Sequence, residues 1–399
     1  MRSPPLVRSG LLQVNGGDLQ RLRQLNSLSS IRALRDARHP LTLTELAALT
    51  GLSRGSIVDV VTDLHDRGWI TEVEPTLGGM GRPARRYRFR ADAGHVLGID
   101  IGVHKILAAV TDLNGRTVGS GRTSVDQRTR RAERLDAMSR AVDAALLAAG
   151  LAPADIWSVA AGSVGVVDRE GMITRVDALP DWEGVDLIGH LGERLPCPIT
   201  IENDSKLAAL AEQRLGVAAG VRDLVYLHAG RRPGAALVLN GHLHHGFSGA
   251  TGEVGLLDIT RWRKMAGHLE GCPLAEGAPP EDAAGLVFGA ARRGDPAAVA
   301  AVQAYADDLA LGTAAMVLTL DPELVVLGGG FSRSADVLLD PLRRALEPHC
   351  LRVPEIRPST LGEECVVLGA ACLAQDHIDK QFFSPEGEIS RPAAPQRIP

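Results

Sequence analysis

The stretch GIDIGVHKILAAVTDLNG, residues 98–115, decides the fold of the larger part of this 399-residue chain. It contains two strand-like apolar runs, and the dipeptide Asn114-Gly115 is typical of a tight hairpin turn into a third strand. An alanine-rich helix is expected next, over residues 132–149. Further strand patterns alternate with helical ones downstream, which predicts an α/β fold. These later strand patterns are VAAGSVGVVD, PITIEND, DLVYLHA, AALVLNGHLHH and ELVVLGGG.

The charge of the chain is unevenly distributed. The formal net charge is -5, yet residues 1–92 contain fourteen arginines and nine acidic residues, so this part carries +5 and the remainder -10. A basic first part suits a polyanionic partner such as nucleic acid, although a basic segment can also be a solvated face. With 45% hydrophobic and 23% charged residues, the composition is that of a globular protein with a real core.

Length and local composition predict the domain boundaries. A chain of this size is expected to hold two or three domains. A change of sequence texture near Asp92 separates a first domain, 21–91, from a larger one, 92–379. The two ends, 1–20 and 380–399, are rich in Gly, Ser and Pro and are expected to be disordered.

The cysteines and the hydropathy indicate a reducing compartment. The five cysteines are odd in number, far apart and without a C-x2-C pair, so neither a disulfide framework nor a zinc knuckle is indicated. No apolar run approaches the ~20 residues that a membrane-spanning helix requires. We therefore expect a cytoplasmic protein that does not enter a membrane.

The segment PLTLTELAALTGLSRGSIVDVVTDLHDRGWI, 40–70, predicts two helices joined by a tight turn. Thr42 and Glu45 have the spacing of a capping box, and Gly51 suits a left-handed helix end. Ser53 then begins a second helix, whose apolar face is formed by Ile57, Val60, Val61 and Leu64. This pattern is typical of a helix-turn-helix that places its second helix in a DNA major groove.

A basic hairpin follows the two helices and strengthens the prediction of a double-stranded DNA partner. The stretch TLGGMGRPARRYRFR, 76–90, is a glycine-rich turn followed by arginines, which resembles the wing of a winged helix-turn-helix. Asp59 repels phosphates but could accept a hydrogen bond from a cytosine amino group. A helical hairpin for protein interaction is the alternative. The predicted DNA-binding residues are Ser53, Arg54, Ser56, Asp59, Arg82, Arg85 and Arg86.

Five motifs in the larger part resemble those of the ROK family, which contains bacterial sugar kinases and sugar-responsive repressors. They are GIDIG with Asp100, IENDSKLAALAE with Asn203 and Asp204, GATGEVG with Glu253, GHLE with Glu270, and ELVVLGGG with Gly328 to Gly330. The resemblance covers residues 22–376. It implies a two-lobed, actin-like ATPase (ribonuclease H-like) sugar-kinase fold with a sugar cleft between the lobes, and frequent homodimers or homotetramers. The repressor branch carries a winged helix-turn-helix in front, as here.

Both phosphate-binding loops of the kinases that this chain resembles are altered. The family motif D-x-G-G-T-K corresponds to residues 100–105, where Val103 replaces a glycine and His104 a threonine. The motif G-T-G-x-G corresponds to GRRPG, 230–234, where two arginines and a proline fill the space of a triphosphate and remove a backbone donor. No cofactor is therefore expected. The two arginines could bind an anion such as a sugar phosphate, although an exposed basic turn is the commoner outcome.

The resemblance also implies that most sugar-facing residues are kept. In ROK kinases the aspartate of the N-D pair, here Asp204, is the general base, and two glutamates reach the sugar. Without a positioned phosphoryl donor, we expect Asp204 to accept hydrogen bonds from ligand hydroxyls. Capping of a helix end is the alternative for Asp204, and capping of glycine turns or pairing with loop arginines is the alternative for the glutamates. The predicted ligand-binding residues are Asn203, Asp204, Glu253 and Glu270.

The structural zinc site of the family is lost in this sequence. Its ligand positions correspond to Leu256, Arg261, Arg263 and His268, and leucine has no donor atom while arginine stays protonated. No metal is expected, and the loop around these positions should be less constrained, either closing over a ligand or simply mobile. The family's P-N dipeptide, whose asparagine touches the sugar, aligns with Asp177-Ala178, so the identity of the ligand stays open.

Together these features predict a DNA-binding transcriptional regulator of sugar-metabolism genes, expected to be a repressor. Its larger domain would sense a sugar or sugar derivative without catalysis. Ligand binding would close the lobes, shift the spacing of paired DNA-binding heads and weaken operator binding. Two alternatives stay open: an ATP-dependent sugar kinase that retains a DNA-binding head, and a regulator that takes its signal from a protein partner.

Overall fold

The computed structural model describes residues 17–73, 84–385, 387 and 389–392. These residues form two compact units, one holding the chain up to Gly94 and again from His377, the other running from His95 to Asp376. The first unit therefore includes a segment from His377 that the sequence places in the larger domain, 92–379. No helix in the described part of the chain is both long and apolar enough to cross a bilayer.

The first unit contains the predicted helix-turn-helix. Thr42 and Glu45 form the expected capping box, and Gly51 ends the helix in the left-handed region at φ 70°. Ser53 caps the next helix, as predicted. The elements are α1 Gly17–Asp36, β1 Leu41–Thr42, α2 Leu43–Thr50, α3 Arg54–Arg67, β2 Ile70–Val73 and β3 Arg86–Phe89. The strands pair antiparallel in the order β1-β3-β2, so the β2–β3 pair follows the two helices as in a winged helix, and β1 precedes them.

The second unit begins with a five-stranded sheet that carries the predicted hairpins. The elements of this part of the unit are β4 His95–Ile101, β5 Lys105–Asp112, β6 Thr117–Ser124, α4 Arg131–Ala149, β7 Ile156–Ser163, β8 Val166–Val167, β9 Ile173–Arg175, α5 Leu187–Gly192 and β10 Ile199–Asn203. Strands β8 and β9 pair with each other in a separate two-stranded sheet. The sheet order is β10-β7-β4-β5-β6, with an antiparallel meander of β4, β5 and β6 and parallel pairing of β4, β7 and β10. Helix α4 packs directly onto β6, where a Cβ at Gly121 would lie 2.0 Å from the Ala141 carbonyl oxygen.

A second five-stranded sheet and most of the helices complete this unit. The elements are α6 Asp204–Leu215, β11 Leu224–His228, β12 Gly234–Leu239, β13 His242–Leu243, α7 Ala266–Glu270, α8 Pro280–Arg292, α9 Pro296–Leu320, β14 Leu324–Gly328, α10 Ala335–Leu346, β15 Glu355–Pro358 and α11 Cys365–Phe382. Helix α11 begins in this unit, and its residues from His377 belong to the first unit. The sheet order is β13-β12-β11-β14-β15. Each sheet has its own hydrophobic core, which confirms the predicted two-lobed α/β fold.

The predicted disorder of both chain ends is wrong for the residues that the structure describes. Helix α1 begins at Gly17, inside the predicted arm 1–20. Helix α11 continues to Phe382, and the ring centroid of Trp69 lies 5.5 Å from that of Phe382 and 4.8 Å from that of Phe383. The aromatic residues at the start of the tail are buried in the first unit. The overall composition of the tail, rich in Gly, Ser and Pro, did not predict this packing.

Candidate ligand cleft and DNA-binding surface

Asn203 and Asp204 lie where strand β10 passes into helix α6. The Asn203 side chain caps the helix, since its Oδ1 accepts the Lys206 amide at 3.1 Å and its Nδ2 donates to the Gly165 carbonyl at 2.9 Å. Asp204 Oδ1 accepts the Ser205 amide at 2.7 Å, so part of this carboxylate serves the helix end, as the alternative interpretation expects. Its Oδ2 makes no hydrogen bond with any described residue, so it can receive a ligand hydroxyl.

The carboxylate of Asp204 lies within electrostatic range of two others, those of Asp100 and Glu253. Burial raises the pKa of Asp100 to about 7, and repulsion from Asp204 adds to this effect. Burial also raises the pKa of Asp204. Burial, followed by repulsion from Asp204, raises the pKa of Glu253. Because such groups destabilise a fold unless a ligand or cation meets them, their presence together in one place indicates a functional site.

A buried ion pair beneath these acids was missed by the sequence analysis. Lys206 Nζ donates to the Gly249 carbonyl at 2.6 Å and lies 3.4 Å from Glu202 Oε1, while His245 Nδ1 lies 2.8 Å from Glu202 Oε2. Gly249 begins the turn that leads to Glu253, so the pair fixes one of the predicted ligand-binding loops. The glutamate and lysine of IENDSK are four residues apart across the junction of β10 and α6, and this spacing is a sequence signal that could have revealed the pair.

The predicted second phosphate loop, 230–234, connects β11 with β12 and is occupied by side chains. The buried Tyr305 hydroxyl accepts the Gly230 amide at 3.1 Å and donates to the Gly230 carbonyl at 3.0 Å. Arg231 Nε lies 2.8 Å from Glu270 Oε1, at the end of α7. The expected exposed basic turn is therefore wrong for Arg231, because its half-buried guanidinium rests on a predicted ligand-binding residue. Neither Tyr305 nor this pairing was foreseen.

The predicted first phosphate loop follows β4 and is also bonded within the protein. Val103 packs against the core of the first sheet. Lys105 Nζ lies 2.9 Å from Glu363 Oε2, and Glu363 also receives Arg122 and Arg333 at 3.2 Å each. These cations, led by Lys105, lower the pKa of Glu363 to about 2. The lysine of this loop thus has a carboxylate partner within the chain.

The loop that lacks the zinc ligands is held by other means, so its predicted lack of constraint is wrong. Trp262 is 2% exposed and Met265 is fully buried, and both belong to the core of the second sheet. His268 Nε2 lies 2.7 Å from Asp308 Oδ2, and Arg261 lies 3.4 Å from Asp308 Oδ1. Among the residues that the structure describes, no three His, Cys, Asp or Glu side chains are arranged to hold a metal ion. Apolar anchors and an ion pair hold this loop.

The amino-terminal end of α3 presents the predicted recognition residues on the first unit. Ser53 Oγ accepts the Ser56 amide at 3.2 Å, which leaves the two hydroxyls 3.0 Å apart at the helix start. The side chains of Arg54 and Asp59 are exposed, whereas Ile57 between them is buried. These four predicted residues therefore lie at the cap and in the first two turns of α3, with Ser53, Arg54 and Asp59 exposed and Ser56 half-buried.

The arginines of the predicted wing have different surroundings. Arg85 is exposed and lies 3.4 Å from Glu72 across the hairpin. Arg86 instead lies 3.3 Å from Glu45, the acid of the capping box, and so ties strand β3 to α2. Arg82 lies outside the described residues. DNA contact therefore stays a prediction for Arg85, while the guanidinium of Arg86 is already engaged in the fold.

A helix-turn-helix unit together with a two-lobed sugar-kinase-like unit defines the class of this protein. The model of the ROK family matches residues 96–276 and 274–377, and the model of the IclR helix-turn-helix domain matches residues 26–74. The chain belongs to the ROK family.

Three similar proteins illustrate both branches of the family. The xylose repressor of Caldicellulosiruptor bescii is 22% identical over 91% of this chain and 98% of its own length. The solved structure of a ROK family transcriptional regulator, a homologue of the E. coli MLC protein, has a TM-score of 0.67 and 20% identity, covering 89% of this chain and 96% of its own. A ROK family glucokinase from Streptomyces griseus, solved with glucose and AMPPNP, has a TM-score of 0.60 and 25% identity, covering 71% and 100%. The kinase thus matches a smaller share of this chain.

Proposed function

We propose that this ROK protein is a DNA-binding transcriptional regulator, acting as a repressor, whose second unit binds a sugar or sugar derivative without phosphorylating it. The observation that carries the proposal is the second phosphate loop, where Tyr305 bonds Gly230 and Arg231 bonds Glu270, while Asp204 keeps an unbonded oxygen. Hydrogen-bond acceptors for the hydroxyls of a polyol are therefore available, whereas the groups that would bind a triphosphate are bonded within the protein. The full-length similarity to a protein named xylose repressor supports a sugar-responsive regulator.

The absence of catalysis follows from what phosphoryl transfer demands. That reaction depends on backbone amides and cations that position the transferred group and stabilise its charge. Here Pro233 has no amide hydrogen, the Gly230 amide is bonded to Tyr305, and Lys105 is bonded to Glu363. Without a positioned phosphoryl group, a carboxylate next to the sugar serves as a hydrogen-bond acceptor.

Three of the predicted ligand-binding residues can contact the ligand directly, and the fourth positions one of them. Asp204, Glu253 and Glu270 have carboxylates that can accept hydrogen bonds from ligand hydroxyls, a charge-assisted interaction that gives orientation. Asn203 acts through the backbone, because its Oδ1 accepts the Lys206 amide and its Nδ2 donates to both Gly165 and Asp204. We therefore assign Asn203 to positioning Asp204.

On the first unit, the end of α3 enters the major groove of an operator. Ser53, Arg54 and Ser56 meet the DNA first, and Arg85 adds a backbone contact. In a homodimer or homotetramer, two such heads read half-sites about 34 Å apart or a multiple of it. Ligand binding lowers operator affinity, and by linkage the operator lowers ligand affinity by the same factor.

The DNA side of the proposal is tested by fluorescence anisotropy on the DNA that precedes this protein's own gene. Arg54→Ala is expected to weaken binding at least tenfold and to reduce the salt dependence by about one phosphate contact. Arg116→Ala, an exposed arginine of the second unit, removes the same charge and should leave affinity unchanged. Equal losses for both variants contradict the assignment of α3.

The ligand side is tested on the same complex. Adding a panel of pentoses, hexoses, amino sugars, sugar acids and sugar phosphates to the operator complex should release DNA for at least one member. If no member changes operator affinity at saturating concentration, sugar sensing is wrong.

A sugar kinase that keeps its DNA-binding head is the second candidate. Asp100 and Asp204 are both present, and the similar glucokinase structure contains glucose and a nucleotide analogue. Steady ADP release with a sugar and magnesium ATP, at about 1 to 100 per second, is the behaviour of such an enzyme. Our proposal requires ADP release at the background rate.

A further inference from the structure

The pairing of Arg231 with Glu270 leaves part of the arginine unused. The ion pair employs Nε, and the two terminal nitrogens of Arg231 form no hydrogen bond with any described residue. Both side chains are about one-third exposed, at 35% and 33%, so the pair lies at an accessible surface. A guanidinium held through Nε presents two parallel donors in a fixed plane, which is the geometry that binds a carboxylate or a phosphate.

The neighbouring Arg232 is influenced by one carboxylate, Asp177, without forming an ion pair with it. It forms neither an ion pair nor a hydrogen bond with any described residue, and desolvation followed by repulsion from Arg231 lowers its pKa, with Asp177 opposing the effect. The loop therefore presents two cations, and the carboxylates near them are Asp177 and the Glu270 of α7. Because the terminal nitrogens of Arg231 and the guanidinium of Arg232 make no hydrogen bond with any described residue, an anion placed there gains hydrogen bonds.

This loop lies beside the acidic residues of the cleft. A Cβ at Gly234, the last residue of the loop, would lie 2.8 Å from the hydroxyl of Ser205, the residue after Asp204. Asp177 acts electrostatically on both Arg232 and Glu253, which places it within range of both groups. The site therefore has a cationic end and an acidic end.

We propose that the effector is an acidic sugar, in which a carboxylate or phosphate group binds Arg231 and Arg232 while the hydroxyls meet Asp204 and Glu253. This inference rests on the proposed function and narrows its ligand class. The two ends fix the orientation, because the anionic group of a reversed ligand would meet buried carboxylates. A neutral sugar brings no anionic group to Arg232.

The test is calorimetric titration of the full-length protein with matched probes. The neutral probes are glucose and xylose, the carboxylate probes are glucuronate and xylonate, and the phosphate probe is glucose 6-phosphate. At least one acidic probe is expected to bind tenfold or more tightly than its neutral counterpart, and the better acidic class identifies the anionic group. Equal or weaker binding of every acidic probe overturns the inference, while binding of the neutral sugars preserves the proposed function. If no probe binds, both fail.

Two variants and a control link the preference to the loop. Arg232→Gln removes an exposed side chain that makes no hydrogen bond or ion pair with a described residue, so it leaves folding intact and should reduce the preference for the acidic probe about tenfold. Arg231→Gln should reduce it further, and Arg116→Gln, an equal charge loss elsewhere in this unit, should leave it unchanged. A preference that survives loss of both loop arginines contradicts the inference. So does inorganic phosphate binding as tightly as glucose 6-phosphate, because the hydroxyls would then contribute nothing.

Discussion

The proposed sugar-binding side of the cleft and the predicted phosphate loops differ in what their polar groups are bonded to. On the first side, Asp204 keeps an unbonded oxygen and Glu253 makes no hydrogen bond with its side chain to any described residue. On the second, the Gly230 amide and the Lys105 ammonium both have partners within the chain. Under the proposed function, one fold can therefore keep the groups that recognise a ligand while the groups that phosphoryl transfer requires are bonded within the protein.

The largest expected effect is a loss of stability in the loop that lacks the zinc ligands, because packing against the core holds this loop. Trp262→Ala should lower the free energy of unfolding by about 3 to 5 kcal/mol, because a fully packed indole leaves a cavity. Chemical denaturation measures this, and Ile259→Ala, at a 77% exposed position of the same loop, serves as the control with little change. If a zinc chelator destabilises the protein as much as Trp262→Ala does, the loop depends on metal and our account of it is wrong.

The buried carboxylate of Asp100 is expected to destabilise the fold when it is ionised, and substitution of Asp100 tests this. Its pKa is raised by burial and by Asp204, from 3.8 to about 7, so folding disfavours the carboxylate and stability falls as pH rises between these values. Asp100→Asn should therefore stabilise the protein at pH 8, by on the order of 2 to 4 kcal/mol, and have little effect at pH 3.5. Thermal unfolding at the two pH values measures this. A variant that is less stable than wild type at pH 8 would show that the carboxylate has a partner we have not identified.

Asp204→Asn is expected to separate the two sides of the cleft. Hydrogen bonds to a charged acceptor contribute about 1.5 to 3 kcal/mol, so sugar affinity should fall about tenfold to a hundredfold. His104→Ala, at an exposed position of the first phosphate loop, should change it less than about twofold. Calorimetry with the best sugar of the panel compares the two. The reverse order of effects would place the ligand on the phosphate side.

The smallest effect concerns the carboxylate that holds Lys105. The lowered pKa of Glu363 means that its contribution to stability is complete above pH 4.5 and is lost as pH falls toward 2. Because the Glu363 side chain is 41% exposed, solvent screening limits the effect of Glu363→Gln to about 1 kcal/mol at pH 7. Glu364→Gln, at the exposed position beside it, is the control. The difference between the two variants should vanish at pH 2, and a difference that persists there would exclude ion pairing as its cause.

Sequence alone predicted the parts of this protein that depend on local patterns. The capping box at Thr42, the left-handed end at Gly51 and the Asn114-Gly115 hairpin are decided within a few residues of chain, and all were confirmed. The pairs Arg231 with Glu270 and Gly230 with Tyr305 join residues 39 and 75 positions apart. No rule based on sequence spacing predicts contacts between residues so far apart. The bonding of the second phosphate loop to Tyr305 and Glu270 could therefore be recognised only from the structure.

The central claim is that the cleft binds a sugar but cannot transfer phosphate to it. The most direct test is one sample of the protein with magnesium ATP and the sugar panel, followed for heat of binding and for ADP by a coupled assay. We predict binding heat with at least one sugar and ADP release no faster than without protein. Sustained ADP release that requires both the sugar and Asp204 would contradict the claim.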